Sequence, residues 1–478
     1  MLFNSFNFLI FFVVVTVIYF LLPHKYRWIH LLAASCVFYC FFIPIYILIL
    51  FVTILIDYFA GIYIEQSTGT RRKIGLLISI LSTCSVLFIF KYYNFFTGNF
   101  ILIGKLLDLR LPIPALKIIL PLGLSFHTFQ SLSYVVEVYR GKQKAEKHFG
   151  IYSLYVMFYP QLVAGPIERP QNLLHQFYEK HEFSYDNAVA GLKKMAWGMF
   201  KKIVVADRLA TYIDAVYPNY DKHYGTSLLL ATIFFTFQIY CDFSGYSDIA
   251  IGCARVMGFK LMTNFNRPYF STSVSEFWKR WHISLSTWFR DYVYIPMGGN
   301  RVSKLRNLLN LFVTFCISGL WHGAQWTYVM WGGLNGIYLI VPKLFYKLSR
   351  QIGNVFRTDR YLKVFMQIFN TLSTFILILI GWVLFLSPKL SVATSIFHKI
   401  IFEHGPLFIG GKKNLAYALI FLAMLLVVEF FEEFKLFNAF TLFNNRNVYV
   451  RRLSYISLVI LILMFGVFDN GQFIYFKF

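Results

Sequence analysis

The sequence predicts an all-α fold, a polytopic transmembrane helical bundle of about eleven to thirteen membrane segments, and three observations carry that prediction. The composition is 58% hydrophobic and 20% aromatic, with only 14% charged residues, beyond what globular interiors use. Residues 1–24, 28–56, 74–90, 118–136, 149–167, 224–241, 307–342, 364–388, 414–428 and 453–468 contain no Asp, Glu, Lys or Arg. These runs are continuous rather than alternating, which excludes an outer-membrane barrel.

Taken in order, Met1 to Leu22 has no basic start and no small-residue cleavage site before His24, Lys25 and Arg27. It reads as a retained helix and not a signal peptide. A bilayer core takes roughly 20 apolar residues per helix, so 28–56 and 307–342 are each long enough for a pair, the first broken near Pro44. Residues 168–223 interleave Lys193, Lys194, Lys201, Lys202, Asp207 and Arg208 with Met195, Trp197, Met199, Ile203 and Val204, a basic amphipathic pattern suited to an interfacial helix. Residues 346–363 read as an ordinary cytoplasmic loop.

The segment from Asn264 to Arg301 is polar and aromatic at once. Ser273 and Glu276 form an S-x-x-E capping box that opens a helix after Pro268. Phe277, Trp281, Leu285 and Trp288 then share a face at helical spacing. His282 sits at the border of that face beside Trp278 and Phe289, and Pro296, Gly298 and Gly299 supply the following turn. The expectation is one short amphipathic or re-entrant helix with a histidine on its edge.

The balance of 45 Lys+Arg against 22 Asp+Glu gives a net charge of +23, which in another setting suggests nucleic acid. Here the basic residues gather in short loops, at Lys25/Arg27, Arg71/Arg72/Lys73, Lys142/Lys144/Lys147, Arg301/Lys304/Arg306 and Arg350/Arg357/Arg360/Lys363. The positive-inside rule accounts for them, so the expected partner is the lipid bilayer and no nucleic acid. The first two clusters fall on one side, making it cytoplasmic and placing the N-terminus outside. No internal repeat is visible, which removes support for an inverted-repeat transporter.

His322 lies within the longest charge-free run, in GLWHGAQWTYVMWGGLNG, residues 319–336. An ionisable group at membrane depth either serves chemistry or stays neutral against a carbonyl in a packed bundle. Gly319 and Gly323 allow a backbone or a ligand to approach it closely. Trp321, Trp326 and Trp331 offer rigid walls, and Gln325, Thr327 and Asn335 add neutral polar groups. That is the composition of a pocket for proton transfer. His127 is a weaker intramembrane candidate. Asp242, Ser244 and Asp248 in CDFSGYSDIAIG suit a polar network or a cation, without a second acidic cluster to complete a cage. Six cysteines without a CxxC pair give neither a disulfide nor a metal site, and no phosphate-loop or dinucleotide motif is present.

With these residues in view the sequence resembles the membrane-bound O-acyltransferase family, in its bacterial alginate O-acetyltransferase-like branch. The resemblance rests on PLGLSFHTFQSLSYVVEVYRG, FYPQLVAGPIERP, CDFSGYSDIAIG, FNRPYFSTSVSEFWKRWHISLSTWFRDYVYIPMGGNR and GLWHGAQWTYVMWGGLNG, almost continuous from 121 to 336. It implies a funnel-shaped bundle with a central tunnel, and a single membrane-embedded domain over 1–478. N-terminal helices would fill 1–110, a catalytic core about 111–345, and C-terminal helices 346–478. The family's near-invariant histidine maps onto His322 and its second, branch-level histidine onto His282. Many relatives carry histidine where this chain has Asn335, which argues against an obligate base there, and tyrosine or phenylalanine is more usual at His127.

The implied chemistry is a hydroxyl attacking a thioester, with His322 as general base and His282 orienting a substrate. Trp321, Gln325, Trp278, Trp281 and Asn335 would line the substrate path, and Arg280 would meet a donor phosphate. No bound cofactor is expected; acetyl-CoA or another acyl thioester, including an acyl donor protein, serves as substrate. The expected acceptor is an extracytoplasmic SGNH-type acetyltransferase partner or an envelope or exopolysaccharide, at the bacterial inner (cytoplasmic) membrane. Two alternatives stay open, D-alanyl transfer to teichoic acid and solute transport.

Overall fold

The computed structural model describes residues 1–345, 360–436, 443 and 445–468. Among them every regular element is helical. In chain order these are α1 (Phe6–Leu21), α2 (His24–Cys40), α3 (Ile47–Gln66), α4 (Gly69–Leu87), α5 (Tyr93–Leu106), α6 (Leu124–Tyr139), α7 (Phe149–Met157), α8 (Tyr159–Leu162), α9 (Pro170–Leu173) and α10 (Tyr185–Met199). There follow α11 (Asp207–Val216), α12 (Gly225–Val256), α13 (Val274–Arg280), α14 (Ile283–Phe289), α15 (Lys304–His322) and α16 (Trp326–Leu344). The last are α17 (Arg360–Leu386), α18 (Leu390–Phe402), α19 (Lys412–Glu433) and α20 (Val448–Phe465). Most of the loop expected at 346–363 lies outside the described residues.

Six helical stretches among the described residues are long and apolar enough to cross a membrane: Pro44–Gln66, Gly69–Leu106, Gly225–Val256, Tyr361–Leu386, Lys412–Glu433 and Val448–Phe465. Phe6–Leu21 and Leu390–Phe402 are shorter apolar helices. This is a multi-pass membrane protein, and among the described residues the helices of that length and hydropathy are fewer than the charge-free runs. Absence of charge does not by itself measure helix length. Run 149–167 is split at Phe158 and Pro160 into α7, α8 and a loop, and run 118–136 begins in extended chain before α6. Large apolar side chains point outward along the spans, including Leu77 at 56%, Leu81 at 63% and Leu463 at 66% exposure, as lipid contact requires and water does not tolerate in such number.

The chain divides into two compact units, residues 1–195 with 246–262, and residues 196–245 with 263–478. In the first, Pro44 breaks the 28–56 run as expected, opening the short turn Pro44–Tyr46 between α2 and α3. Asp57 of α3 is fully buried and accepts the hydroxyls of Ser79 (2.6 Å) and Thr83 (3.0 Å) from α4, a polar bond between helices where lipid offers no alternative partner.

The second unit holds one continuous core containing Trp281, Trp331, Trp382 and Phe385. Its helices α15 and α16 form the hairpin predicted from run 307–342. A Cβ on Gly319 would lie 2.1 Å from the Tyr328 carbonyl oxygen, and one on Gly332 would lie 2.2 Å from that of Phe315. Only glycine permits this backbone approach.

Candidate active site

All the residues that the sequence singles out for the substrate path fall in the second unit. The predicted capping box forms, with Ser273 Oγ accepting from the Glu276 N–H at 3.2 Å. Its return arm lands one residue earlier than the motif implies, since Glu276 Oε2 accepts from the Thr272 N–H (2.9 Å) and hydroxyl (2.8 Å). The single helix expected from here is instead two. Trp281 is extended (φ −101°, ψ 128°) and His282 is left-handed (φ 41°, ψ 55°), so α13 ends and α14 restarts around the histidine. The extended chain at 264–266 takes up the freed backbone groups: Ile283 N–H donates to Asn264 O, and Asn266 N–H to Arg280 O, both at 2.9 Å. A left-handed non-glycine residue costs on the order of 1–3 kcal/mol and concentrates at functional sites.

His282 is fully buried. Its ring stands edge-on to Phe243 at 4.6 Å, with Phe265 at 6.2 Å and Trp321 at 6.5 Å. Its Nδ1 lies 3.1 Å from Asn264 Oδ1. Burial pushes this imidazole, which sits outside the long apolar helices, down to about 3, so it is neutral at physiological pH.

His322 closes α15 and is 5% exposed. Its ring packs edge-on against Trp321 at 4.9 Å, Trp331 at 5.1 Å and Phe385 at 5.4 Å. Trp321 therefore neighbours both histidines. The glycines beside His322 are filled by protein rather than ligand: a Cβ on Gly323 would lie 2.1 Å from the Tyr328 ring.

The other expected residues divide into two groups. Trp281 stacks on Phe277 at 5.4 Å and meets Trp382 at 5.2 Å, Trp278 meets Trp331 at 5.7 Å, and all belong to the same aromatic cage. Asn335 is buried in α16, where its Nδ2 donates to the Trp331 carbonyl at 2.9 Å. Gln325 is exposed in the turn after His322. Arg280 is engaged elsewhere, bridging Glu276 at 2.6 Å and Glu433 at 2.7 Å. Sequence reasoning missed Trp382 and Phe385, which look like any lipid-facing aromatics of run 364–388. It also missed Asn264.

A cavity of about 410 Å³ is lined by α13 and α14 on one side and α15 and α16 on the other. Its apolar wall includes Trp278, Ile283, Phe289 and Phe315, and its cations are Lys279, Arg290 and Lys343; no carboxylate lines it among the described residues. The Trp278 indole N–H is buried there without an acceptor among the described residues. Trp278 and Phe289 belong to both cavity and cage, Phe289 lying 6.5 Å from Trp321. Arg280 is not among the lining residues.

The acidic residues at 242–248 form ion pairs. Asp242 contacts Lys202 at 2.6 Å, Lys202 also contacts Asp207 at 2.7 Å, and Lys201 donates to Ser244 Oγ at 3.0 Å. Lys201 and Lys202, expected at the membrane surface, are 4% and 3% exposed: these acidic and hydroxyl partners hold them inside. In the first unit Asp248 pairs with Lys194 at 2.8 Å, and His127, buried, has Nε2 3.5 Å from Thr53 Oγ1.

Comparison with known proteins agrees with this architecture. The chain is 38% identical to the "Probable alginate O-acetylase AlgI" of Pseudomonas aeruginosa, over 82% of this chain and 73% of that protein. It is 34% identical to the peptidoglycan O-acetyltransferase of Helicobacter pylori, over 78% of this chain and 74% of the relative. Similarity to the teichoic acid D-alanyltransferase of Bacillus subtilis is lower, 28% over 48% of this chain and 60% of the relative. Residues 146–382, which include His282, His322 and the whole ring cage except Phe385, match the membrane-bound O-acyltransferase family. The chain belongs to the membrane-bound O-acyltransferase family and is an O-acyltransferase.

Proposed function

We propose that the enzyme moves an acetyl group from a cytoplasmic thioester, acetyl-CoA, to a hydroxyl presented on the outer side of the bacterial inner membrane. The acetyl group would serve O-acetylation of a cell-envelope polysaccharide or exopolysaccharide, received directly by the polymer or by an extracytoplasmic SGNH-type acetyltransferase. The observation that carries this reading is the pair of buried histidines sharing Trp321 within one ring cage. Water-poor surroundings of this kind strengthen directed proton transfer.

In this scheme the acceptor hydroxyl attacks the thioester carbonyl carbon as His322 takes the hydroxyl proton. The C–S bond then breaks, and the thiolate leaves with a proton returned by the imidazolium. His282 holds the donor. The cavity beside the cage suits a thioester with a phosphate-bearing arm, and Lys279 and Lys343, with Arg290 beside its Asp291 partner, replace Arg280 as its phosphate contacts. The N-terminus lies outside and Arg71 to Lys73 inside, and the whole chain serves one acyltransferase domain. The lower coverage of the D-alanyltransferase relative favours acetyl over alanyl transfer. The test is release of free thiol and acetylation of a hydroxyl acceptor by the purified protein in proteoliposomes supplied with acetyl-CoA. Solute flux without acyl transfer, or turnover only with an aminoacyl carrier protein, rejects the proposal.

A further inference from the structure

Asn264 is fully buried, and its Oδ1 faces three groups at once: Ser284 N–H at 3.2 Å, Ser284 Oγ at 2.9 Å and His282 Nδ1 at 3.1 Å. A backbone N–H only donates, so the amide atom facing Ser284 is the oxygen, which settles the orientation of this side chain. An amide oxygen only accepts. His282 Nδ1 must then carry the hydrogen, and in a neutral imidazole that leaves Nε2 as a bare acceptor. The Asn264 carbonyl meanwhile takes the Ile283 N–H at 2.9 Å, so this one residue fastens 282, 283 and 284 and sustains the left-handed turn at His282. The amide's own Nδ2 is buried with no acceptor among the described residues, a cost typically of 1–3 kcal/mol. The arrangement thus serves the histidine rather than the asparagine.

We propose that Asn264 is a positioning residue that locks His282 as the Nδ1–H tautomer, so that Nε2 accepts a hydrogen bond from an N–H or O–H on the arm of the thioester donor. The inference rests on the acyl-transfer reading and sharpens it. An acceptor nitrogen cannot stabilise the developing oxyanion, and the acceptor hydroxyl has one proton, which goes to His322. His282 therefore acts on the donor's amide-bearing arm; buried itself, it directly precedes Ile283, which lines the cavity.

Two measurements test this. In ¹⁵N-histidine-labelled protein in lipid nanodiscs, the His282 signal, assigned by its loss in His282→Ala, should report a protonated Nδ1 and a bare Nε2; the opposite tautomer overturns the proposal. In kinetics, Asn264→Leu should raise KM for acetyl-CoA about tenfold, the size of one buried hydrogen bond, with kcat changed less than about threefold. Asn264→Asp, which keeps an acceptor oxygen, should restore KM. Unchanged KM in Asn264→Leu, or a loss confined to kcat, overturns the donor-holding role. If Asn264→Leu does not fold, the wild-type spectrum and the Asn264→Asp kinetics still decide. Wild-type protein inactive with every thioester sinks the acyl-transfer reading itself, and the spectrum then decides the tautomer alone.

Discussion

The neighbouring glycines of α16 should respond oppositely to the same substitution. In Gly332→Ala the new Cβ would lie 2.2 Å from the Phe315 carbonyl oxygen and 3.2 Å from Cys316 Cα, all backbone that cannot rotate away. An ordinary carbon–oxygen contact is about 3.3 Å, so α16 must retreat from α15 by about 1.1 Å. In Gly333→Ala the nearest atoms are two ring carbons of Phe312 at 3.5 Å, an ordinary contact. Trp331, adjacent to Gly332, packs 5.1 Å from the His322 ring, so the retreat reaches the site directly. Overpacking costs about 1–3 kcal/mol, and a displacement of about 1 Å at a reacting group lowers turnover about 10²-fold. Acetyl transfer in proteoliposomes and thermal melting by tryptophan fluorescence should show Gly332→Ala impaired in both and Gly333→Ala close to wild type. Equal behaviour of the two variants would refute the reasoning that backbone contact between these helices holds His322 in place.

His282→Ala should chiefly raise KM for the donor, leaving residual turnover at saturation, and the double variant with His322→Ala should be worse than either alone; a collapse of kcat with unchanged KM points to a shared proton relay instead. Lys202→Met removes the cation that Asp207 and Asp242 share in the interior and should cost about 3–5 kcal/mol, read as a lowered Tm that Lys202→Arg partly retains; an unchanged melt contradicts this. For topology, single cysteines placed in a background without the native ones should label from outside at position 4 and not at position 71. The reverse pattern inverts the orientation.

The helical class and the two hairpins within single apolar runs were legible because each depends on local signals, run length in both and Pro44 in the first. His322 itself stood out as an ionisable group in an uncharged stretch. The break at His282 was not legible, because its backbone bonds go to residue 264, far outside any helical window. Lys201 and Lys202 read as interfacial for a related reason: what holds them inside is Asp207 in the next helix and Asp242 and Ser244 on α12. Periodicity likewise gives Trp382 and Phe385 no mark that separates a face turned to His322 from one turned to lipid, and only their ring contacts do so.

In the proposed reaction His322 removes the proton from the attacking hydroxyl, and that role decides the mechanism. It is tested most directly by kcat for acetyl transfer from acetyl-CoA by purified His322→Ala in proteoliposomes, beside a melt showing that the variant is folded. Loss of a general base should lower kcat about 10²- to 10⁴-fold with KM for the donor little changed. Turnover within about threefold of wild type in a folded variant contradicts the claim.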